Sequence, residues 1–340
     1  MKKRILIYGS GVIGSIYALR FAKAGHEVSV LARGDRLKAL RERGVVIRQI
    51  FLDKEEQADV DVLDAIPSDR HFDIIIAAVR SGQVTSVLRE IAKLPKPEAC
   101  VVLGNNLGDF SEQESLAGPE CFILGFGAFG GYREVGTIVY LDGRTKEKPY
   151  PENRSKTTLG AVSSRAEGAL EMVREVFTSS GLPCTVCGDM PSWLLCHAAL
   201  VFPLAGGMYA AGGDQDVVSK TRDCAVLGVR AARELLRALR SLGYKVLPKS
   251  LKSLLLMPEW FLVKKTMEIL PGAGAKVAMF GHANAPGGRY EISGQALLLD
   301  SIVRKSGRSF HSWNRLLPYF QETPPPLIPE GSRSIRLKLY

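Results

Sequence analysis

Residues 3–36 constrain this chain more than any other stretch. Arg4-Ile5-Leu6-Ile7-Tyr8 has the character of a short buried strand. Gly9-Ser10-Gly11-Val12-Ile13-Gly14 follows without a gap, and Ser15 to Ala24 carries apolar residues at helical spacing. Gly25-His26 turns the chain into a second strand, Glu27-Val28-Ser29-Val30-Leu31. Strand, glycine turn, helix and strand within one βαβ length is the setting in which G-x-G-x-x-G binds a dinucleotide. Gly9 allows the tight turn. Gly11 lets a pyrophosphate approach the helix N-terminus, where free N–H groups and the helix dipole favour negative charge, and Gly14 lets the helix pack close to the sheet. The competing reading is a glycine turn that binds nothing, and the flanking strand and helix argue against it.

The end of the second strand selects the cofactor. An NAD site places Asp or Glu about 20 residues beyond the glycines to bond the ribose 2′-OH. Here Ala32 is followed by Arg33, with Arg36 and Lys38 close behind. Guanidinium groups suit a 2′-phosphate, which arginine grips with two parallel hydrogen bonds. NADP is therefore expected over NAD, against the alternative of solvated charges on a surface turn.

A chain of 340 residues is long for one core, so two domains are expected. The net charge of +10 suits anionic ligands, but the Lys and Arg residues are scattered without aromatic interleaving, so no nucleic-acid partner is expected. An N-terminus that goes straight into a strand implies no secretory leader. The six cysteines (Cys100, Cys121, Cys184, Cys187, Cys196 and Cys224) then read as reduced thiols of a cytoplasmic protein. Cys184-Thr185-Val186-Cys187 has C-x-x-C spacing but lies on a strand and lacks a second pair, so no metal is expected. Met190 to Gly213 carries no formal charge, yet Pro203, His197 and four glycines interrupt it. A buried central helix is the reading there, rather than a membrane span.

Further strands are expected at Val45–Ile50, Phe72–Val79, Ala99–Leu103 and Cys121–Phe126, with a helix over Gln83–Lys93. Arg80 and Asn105 directly follow strands, at the edge where ligands of open α/β sheets bind. Thr137–Leu141 and Thr157–Leu159 alternate like antiparallel strands around a charged hairpin, and Ala166–Ser179 reads as a helix before a last strand, Pro183–Val186. Long helices follow: Arg222–Leu242, Leu251–Leu270 broken at Pro258, and a short Gly294–Lys305. The tail, Ser332–Tyr340, is either loose or an edge strand. The fold expected is α/β: a Rossmann-type dinucleotide-binding domain (1–188), a mostly α-helical substrate and dimerisation domain (189–322) with a cleft between them, and a proline-rich and basic tail (323–340).

The N-terminal glycines, Arg33, Asn105 in Gly104-Asn105-Asn106-Leu107-Gly108, Trp193 and Gly288-Arg289-Tyr290-Glu291-Ile292 occur here in an order that resembles the ketopantoate reductase family. The resemblance extends to about Phe320. It implies an NADPH-dependent oxidoreductase of pantothenate biosynthesis that reduces a 2-oxo acid. It further implies that Gly9, Gly11 and Gly14 hold the pyrophosphate and Arg33 the 2′-phosphate. Arg80 would stand where the family has a lysine near the cofactor, Asn105 would contact the nicotinamide ribose or the substrate, and Glu291 would hold the substrate or the proton donor.

Three substrate-side positions depart from the family. The lysine expected two residues after the tryptophan is Leu195, the asparagine four further on is Ala199, and the serine about twelve residues before the glutamate is Met279. Reduction of a ketone leaves an alkoxide that needs a proton donor, which leucine cannot supply. His197 and His282 are the candidates for that role, each against a plain structural histidine, and Arg289 either pairs with a substrate carboxylate or faces solvent. The expected activity is reduction of a small carbonyl compound other than ketopantoate, in a homodimer. A non-catalytic NADP-binding sensor and an opine-type dehydrogenase, which joins a 2-oxo acid to an amine, are the alternatives.

Overall fold

The computed structural model describes residues 2–127, 129–134, 136–147, 156–272 and 288–338. The chain divides into two compact units, Met1–Met190 and Pro191–Tyr340.

The first unit runs β1 (Arg4–Tyr8), α1 (Val12–Lys23), β2 (Glu27–Leu31), α2 (Gly34–Arg43), β3 (Val45–Gln49), β4 (Lys54–Ala58), β5 (Asp61–Leu63) and β6 (Ile74–Ala77). It continues with α3 (Val84–Ile91), β7 (Ala99–Leu103), α4 (Ser111–Ala117), β8 (Phe122–Phe126), β9 (Gly130–Glu134), β10 (Thr137–Leu141), β11 (Thr157–Ala161), α5 (Glu167–Ser179) and β12 (Cys184–Val186). Eight strands form one sheet in the order β12-β11-β8-β7-β6-β1-β2-β5. From β5 to β8 every pairing is parallel, and β11 joins β8 antiparallel. Counted along the chain, the six parallel strands lie in the order 3-2-1-4-5-6, the doubly wound arrangement whose strand order reverses between β1 and β6. β6 and β7 are buried along their whole length, as strands covered on both faces must be.

α1 lies against this core through Tyr17 and Phe21, both fully buried, with ring centroids 5.3 and 5.2 Å from Phe177. The Tyr17 hydroxyl is satisfied by Thr157 Oγ1 at 2.6 Å, so the ring's burial leaves no polar atom unpaired. A second sheet, β4-β3-β10-β9, also packs on α1. It is tied there by Arg20, which donates two hydrogen bonds to Glu56 (3.0 and 2.9 Å) and one to the Tyr140 hydroxyl (2.7 Å).

One expectation fails in this unit. Thr137–Leu141 and Thr157–Leu159 are not partners: β10 pairs with β9 and β3, whereas β11 enters the large sheet between β8 and β12. Alternation is a property of each strand alone. The destination is set by burial, and Thr157 to Gly160 are buried on both faces.

The second unit comprises α6 (Met190–Ala210), α7 (Gln215–Lys220), α8 (Arg222–Ser241), α9 (Lys252–Leu256), α10 (Glu259–Ile269), α11 (Gly288–Arg304) and α12 (His311–Leu316). α6 is long and apolar enough to cross a membrane, but 72% of its most hydropathic window is buried within the protein, as in a core helix. A Cβ on Gly206 would sit 3.0 Å from the Phe320 ring, so glycine sets that approach. α8 and α12 pack together, and the Glu234 carboxylate accepts the Ser312 and Trp313 N–H groups at 3.0 Å, capping α12 beside the fully buried Trp313. α11 begins at Gly288, well before the expected Gly294. Ile292, Ala296, Leu299 and Val303, all buried at helical spacing, hold Gly294 inside the helix.

The described part of the tail, 332–338, is neither loose nor a strand. Asp223 accepts hydrogen bonds from the hydroxyls of Ser332 and Ser334 and the N–H groups of Ser334 and Ile335. Glu259 takes a two-pronged bond from Arg230 and one from the Lys338 N–H. Ile335 and Leu337 pack on the apolar cluster of Val226, Val229, Leu262 and Val263.

Candidate functional site

The glycine turn stands where the strand order reverses, at the carboxyl end of β1, next to the end of β6. Its three glycines are held to different requirements. Gly9 has φ +113°, and a Cβ there would lie 2.5 Å from the Ala78 carbonyl oxygen that follows β6. A Cβ on Gly14 would overlap the Gly9 carbonyl oxygen and stand 3.0 Å from Ile7. Both are therefore demanded by packing. Gly11 is different: its φ of −73° suits any residue, and a Cβ there would meet nothing within 4 Å. It is the N-cap of α1 with no side-chain cap, no acidic residue follows in the first turn, and the leading N–H groups face that open space. A pyrophosphate fits such a cradle, since it needs bare backbone, unpaired donors and the positive end of a helix. Ser10, Val12 and Ile13 line the turn half-buried.

The arginines after β2 part company. Arg33 is exposed at the N-cap of α2, with no carboxylate partner among the described residues. Lys38 is exposed beside Asp35 at 4.0 Å. Arg36 turns inward and is 6% exposed. Its Nε donates to the Ser10 carbonyl (3.3 Å), Nη1 to the Gly136 carbonyl (2.8 Å) and Nη2 to Ser15 Oγ (3.0 Å). The sequence places Arg36 beside Arg33 among the guanidinium groups offered to a 2′-phosphate, with a solvated surface charge as the alternative, and the buried side chain fits neither expectation. Its spacing of four from the buried Leu40 was the signal that places it on the inner face of α2. Burial, and then a hydrogen bond and the charge of Glu90 at 2.5 Å, push the Tyr8 phenol up to about 12, against a smaller opposing pull from Arg33.

Arg80 is exposed beyond β6 and opens a short 3₁₀ turn, Ser81–Gln83. Asn105 is half-buried after β7. Its neighbour Asn106 is 3% exposed, and its Nδ2 has no hydrogen-bond partner among the described residues, a feature the sequence reading missed. The six turn residues, Arg33, Arg80 and Asn105 thus all follow the carboxyl ends of β1, β2, β6 and β7, the edge where open α/β sheets take ligands.

In the second unit, Leu195 and Ala199 are buried at 4% and 0% exposure. Trp193 and His197 are half-buried on α6, one helical turn apart, and stack with centroids 5.2 Å apart and planes 4° from parallel. His197 lies about 200° around the helix from Leu195, so it does not occupy that side chain's place. Glu291 is half-buried in the first turn of α11. Arg289 is exposed, as one of its two expected fates has it, while its guanidinium also lies 4.8 Å from the Tyr209 ring centroid and donates to the Tyr319 carbonyl at 3.0 Å. His282 and Met279 lie outside the described residues.

Residues 5–143 match the family model of ketopantoate reductase PanE/ApbA. A 2-dehydropantoate 2-reductase of Pyrococcus abyssi is 26% identical over 197 residues, which are 57% of this chain and 60% of that protein. The match thus spans less than two-thirds of the curated relative's length. Among solved structures, a 2-dehydropantoate 2-reductase from Geobacter metallireducens GS-15 superposes with a TM-score of 0.72 at 16% identity, covering 93% of this chain and 98% of that one. A D-mandelate dehydrogenase solved with NADH and anilino(oxo)acetate gives 0.70 at 16% identity, covering 94% and 97%. Likeness at such identity establishes the fold, an N-terminal Rossmann unit followed by a helical one.

Proposed function

We propose that this chain, whose residues 5–143 match the ketopantoate reductase family model, is a cytoplasmic NADPH-dependent oxidoreductase that reduces a small carbonyl compound of the 2-oxo acid class. The observation that carries this reading is the open space over Gly11. No described part of the chain requires glycine there, whereas a pyrophosphate on the first turn of α1 does. Gly9, Ser10, Gly11, Val12, Ile13 and Gly14 hold the pyrophosphate, and Arg33 grips the 2′-phosphate. Arg80 and Asn105 serve the cofactor from the neighbouring strand ends.

The nicotinamide supplies the hydride when bound. The chain's own residues orient the carbonyl and bring a proton to the developing alkoxide. Asn105 and Glu291 are assigned to orientation, and His197 or His282 to the proton. The substrate differs from ketopantoate because buried Leu195 and Ala199 replace a lysine and an asparagine that bond a polar substrate. The same two residues favour a second reading, an NADP-binding protein without turnover.

The test is NADPH consumption across a panel of 2-oxo acids, ketopantoate included, by the natural protein and by Leu195→Lys. The natural protein is expected to oxidise NADPH with at least one 2-oxo acid and to turn over ketopantoate poorly. The lysine variant, its folding checked by melting temperature because position 195 is buried, is expected to gain ketopantoate turnover. Brisk reduction of ketopantoate by the natural protein would contradict the substrate assignment. Tight NADPH binding with silence towards every carbonyl would favour the second reading, and turnover requiring an added amine would point to opine-type chemistry.

A further inference from the structure

Arg36 is a buried cation with no anion beside it among the described residues. Its three hydrogen-bond partners, the Ser10 and Gly136 carbonyls and Ser15 Oγ, are all neutral. No carboxylate pairs with it among the described residues. Other cations of the first unit have carboxylate partners: Arg20 and Lys23 share Glu56, Arg4 has Asp73, Arg41 has Asp64 and Arg70 has Asp61. A second guanidinium also acts on Arg36. Burial first, and then Arg133 on β9, push the Arg36 guanidinium down to about 10.

Arg133 pairs with Ile138 across the β9–β10 hairpin, is exposed, and has no carboxylate partner among the described residues. Arg33, equally exposed and unpaired, is near enough to Tyr8, the residue before Gly9, to act on its phenol. The hairpin is seated on the same place. The Gly136 carbonyl takes the Arg36 bond, a Cβ on Gly136 would stand 4.0 Å from Ala39 on α2, and one on Gly131 would stand 3.1 Å from Val12 on α1. Arg33, Arg36 and Arg133 therefore sit on elements that meet at the glycine turn, and none of the three forms an ion pair among the described residues, the nearby Glu90 carboxylate being bonded to the Tyr8 hydroxyl. Gathering like charges, one of them desolvated, is unfavourable unless an anion joins them. Planar forks of donors match the oxygens of a phosphate.

Resting on the dinucleotide reading above, we propose that Arg133 is a specificity-determining residue that holds the 2′-phosphate of NADPH together with Arg33. Arg36 is the positioning residue that pins the hairpin carrying Arg133 against the glycine turn. A residue a hundred positions beyond Arg33 thereby helps to choose the cofactor.

The experiment is titration of the natural protein, Arg133→Gln, Arg133→Lys and Arg33→Gln with four probes: NADPH, NADH, 2′,5′-ADP and 5′-ADP. Arg133 is exposed, so its variants are expected to fold. Arg133→Gln is expected to weaken NADPH and 2′,5′-ADP about tenfold, the loss of one charge-assisted contact, while NADH and 5′-ADP stay within about twofold. Arg133→Lys is expected to recover part of the loss, and added salt to narrow the difference. If Arg133→Gln leaves the NADPH-to-NADH ratio unchanged while Arg33→Gln lowers it, the phosphate site exists without Arg133 and the inference fails alone. If the natural protein binds no nucleotide, the dinucleotide reading fails with it. Arg36→Lys, which keeps the charge but cannot span three acceptors, is expected to lower the same ratio. A fall in melting temperature with the ratio unmoved would make Arg36 a structural clamp only.

Discussion

Gly11→Ala is expected to leave the protein folded and to remove most of its nucleotide affinity, whereas Gly14→Ala is expected to unfold or strongly destabilise it. The two positions lie three residues apart in one turn, yet their surroundings differ in kind. At position 11 the backbone is in an ordinary region and a methyl meets nothing within 4 Å. The substitution therefore costs the fold little, and the methyl occupies the space a pyrophosphate would take. A loss of about 100-fold in affinity corresponds to about 2.7 kcal/mol. At position 14 the methyl would drive into the Gly9 carbonyl, with Ile7 behind it. Both are backbone or core atoms that cannot swing away, so overpacking of about 3 kcal/mol or more is expected. Melting temperature and NADPH titration of the two variants check this. Equal stability loss in both would mean that the space over Gly11 is not free. Unchanged NADPH affinity in Gly11→Ala would mean that no phosphate lies there.

Glu56→Gln is expected to cost about 3 kcal/mol near neutral pH and progressively less in acid. The Glu56 side chain is 12% exposed and receives Arg20, itself 17% exposed, together with Lys23. Burial acts against the charged carboxylate, but the Arg20 and Lys23 hydrogen bonds outweigh it and hold Glu56 down at about 2, from an ordinary value of 4.5. A carboxyl whose folded pKa is depressed contributes its full stability above the unfolded value. That contribution fades as pH falls from 4.5 through about 2. The gap between natural and variant protein in urea unfolding should therefore be widest above pH 4.5 and narrow below it. A gap independent of pH would show that Arg20 and Lys23 do not stabilise the charged carboxylate. Because this cluster joins β4 to α1 and, through Tyr140, to β10, its loss should loosen the small sheet that carries the β9–β10 hairpin.

The nucleotide half of the site was legible because its determinants are local. A strand, three glycines and an amphipathic helix adjoin in sequence, and each glycine's role follows from backbone sterics. β2 and β7 likewise fall where short apolar runs meet glycine or asparagine. What escaped depends on partners distant in sequence. The alternation in Thr137–Leu141 and Thr157–Leu159 marked two strands but not the two sheets they join. Arg36, expected beside Arg33 as a phosphate-facing or surface cation, is buried because its acceptors, Ser10, Ser15 and Gly136, are brought together by three separate elements. The tail's attachment rests on Asp223 and Glu259, about a hundred residues and eighty residues upstream, and no local pattern announces it. Arg289 faces solvent as one expectation had it, but its contacts with Tyr209 and the Tyr319 carbonyl come from elements it could not be seen to neighbour.

The most direct measurement is a calorimetric titration of the natural protein with NADPH and, separately, with NADH. The account predicts binding of both with NADPH the tighter by at least about tenfold, the margin a gripped 2′-phosphate supplies. Binding of neither, or a preference for NADH, would contradict it.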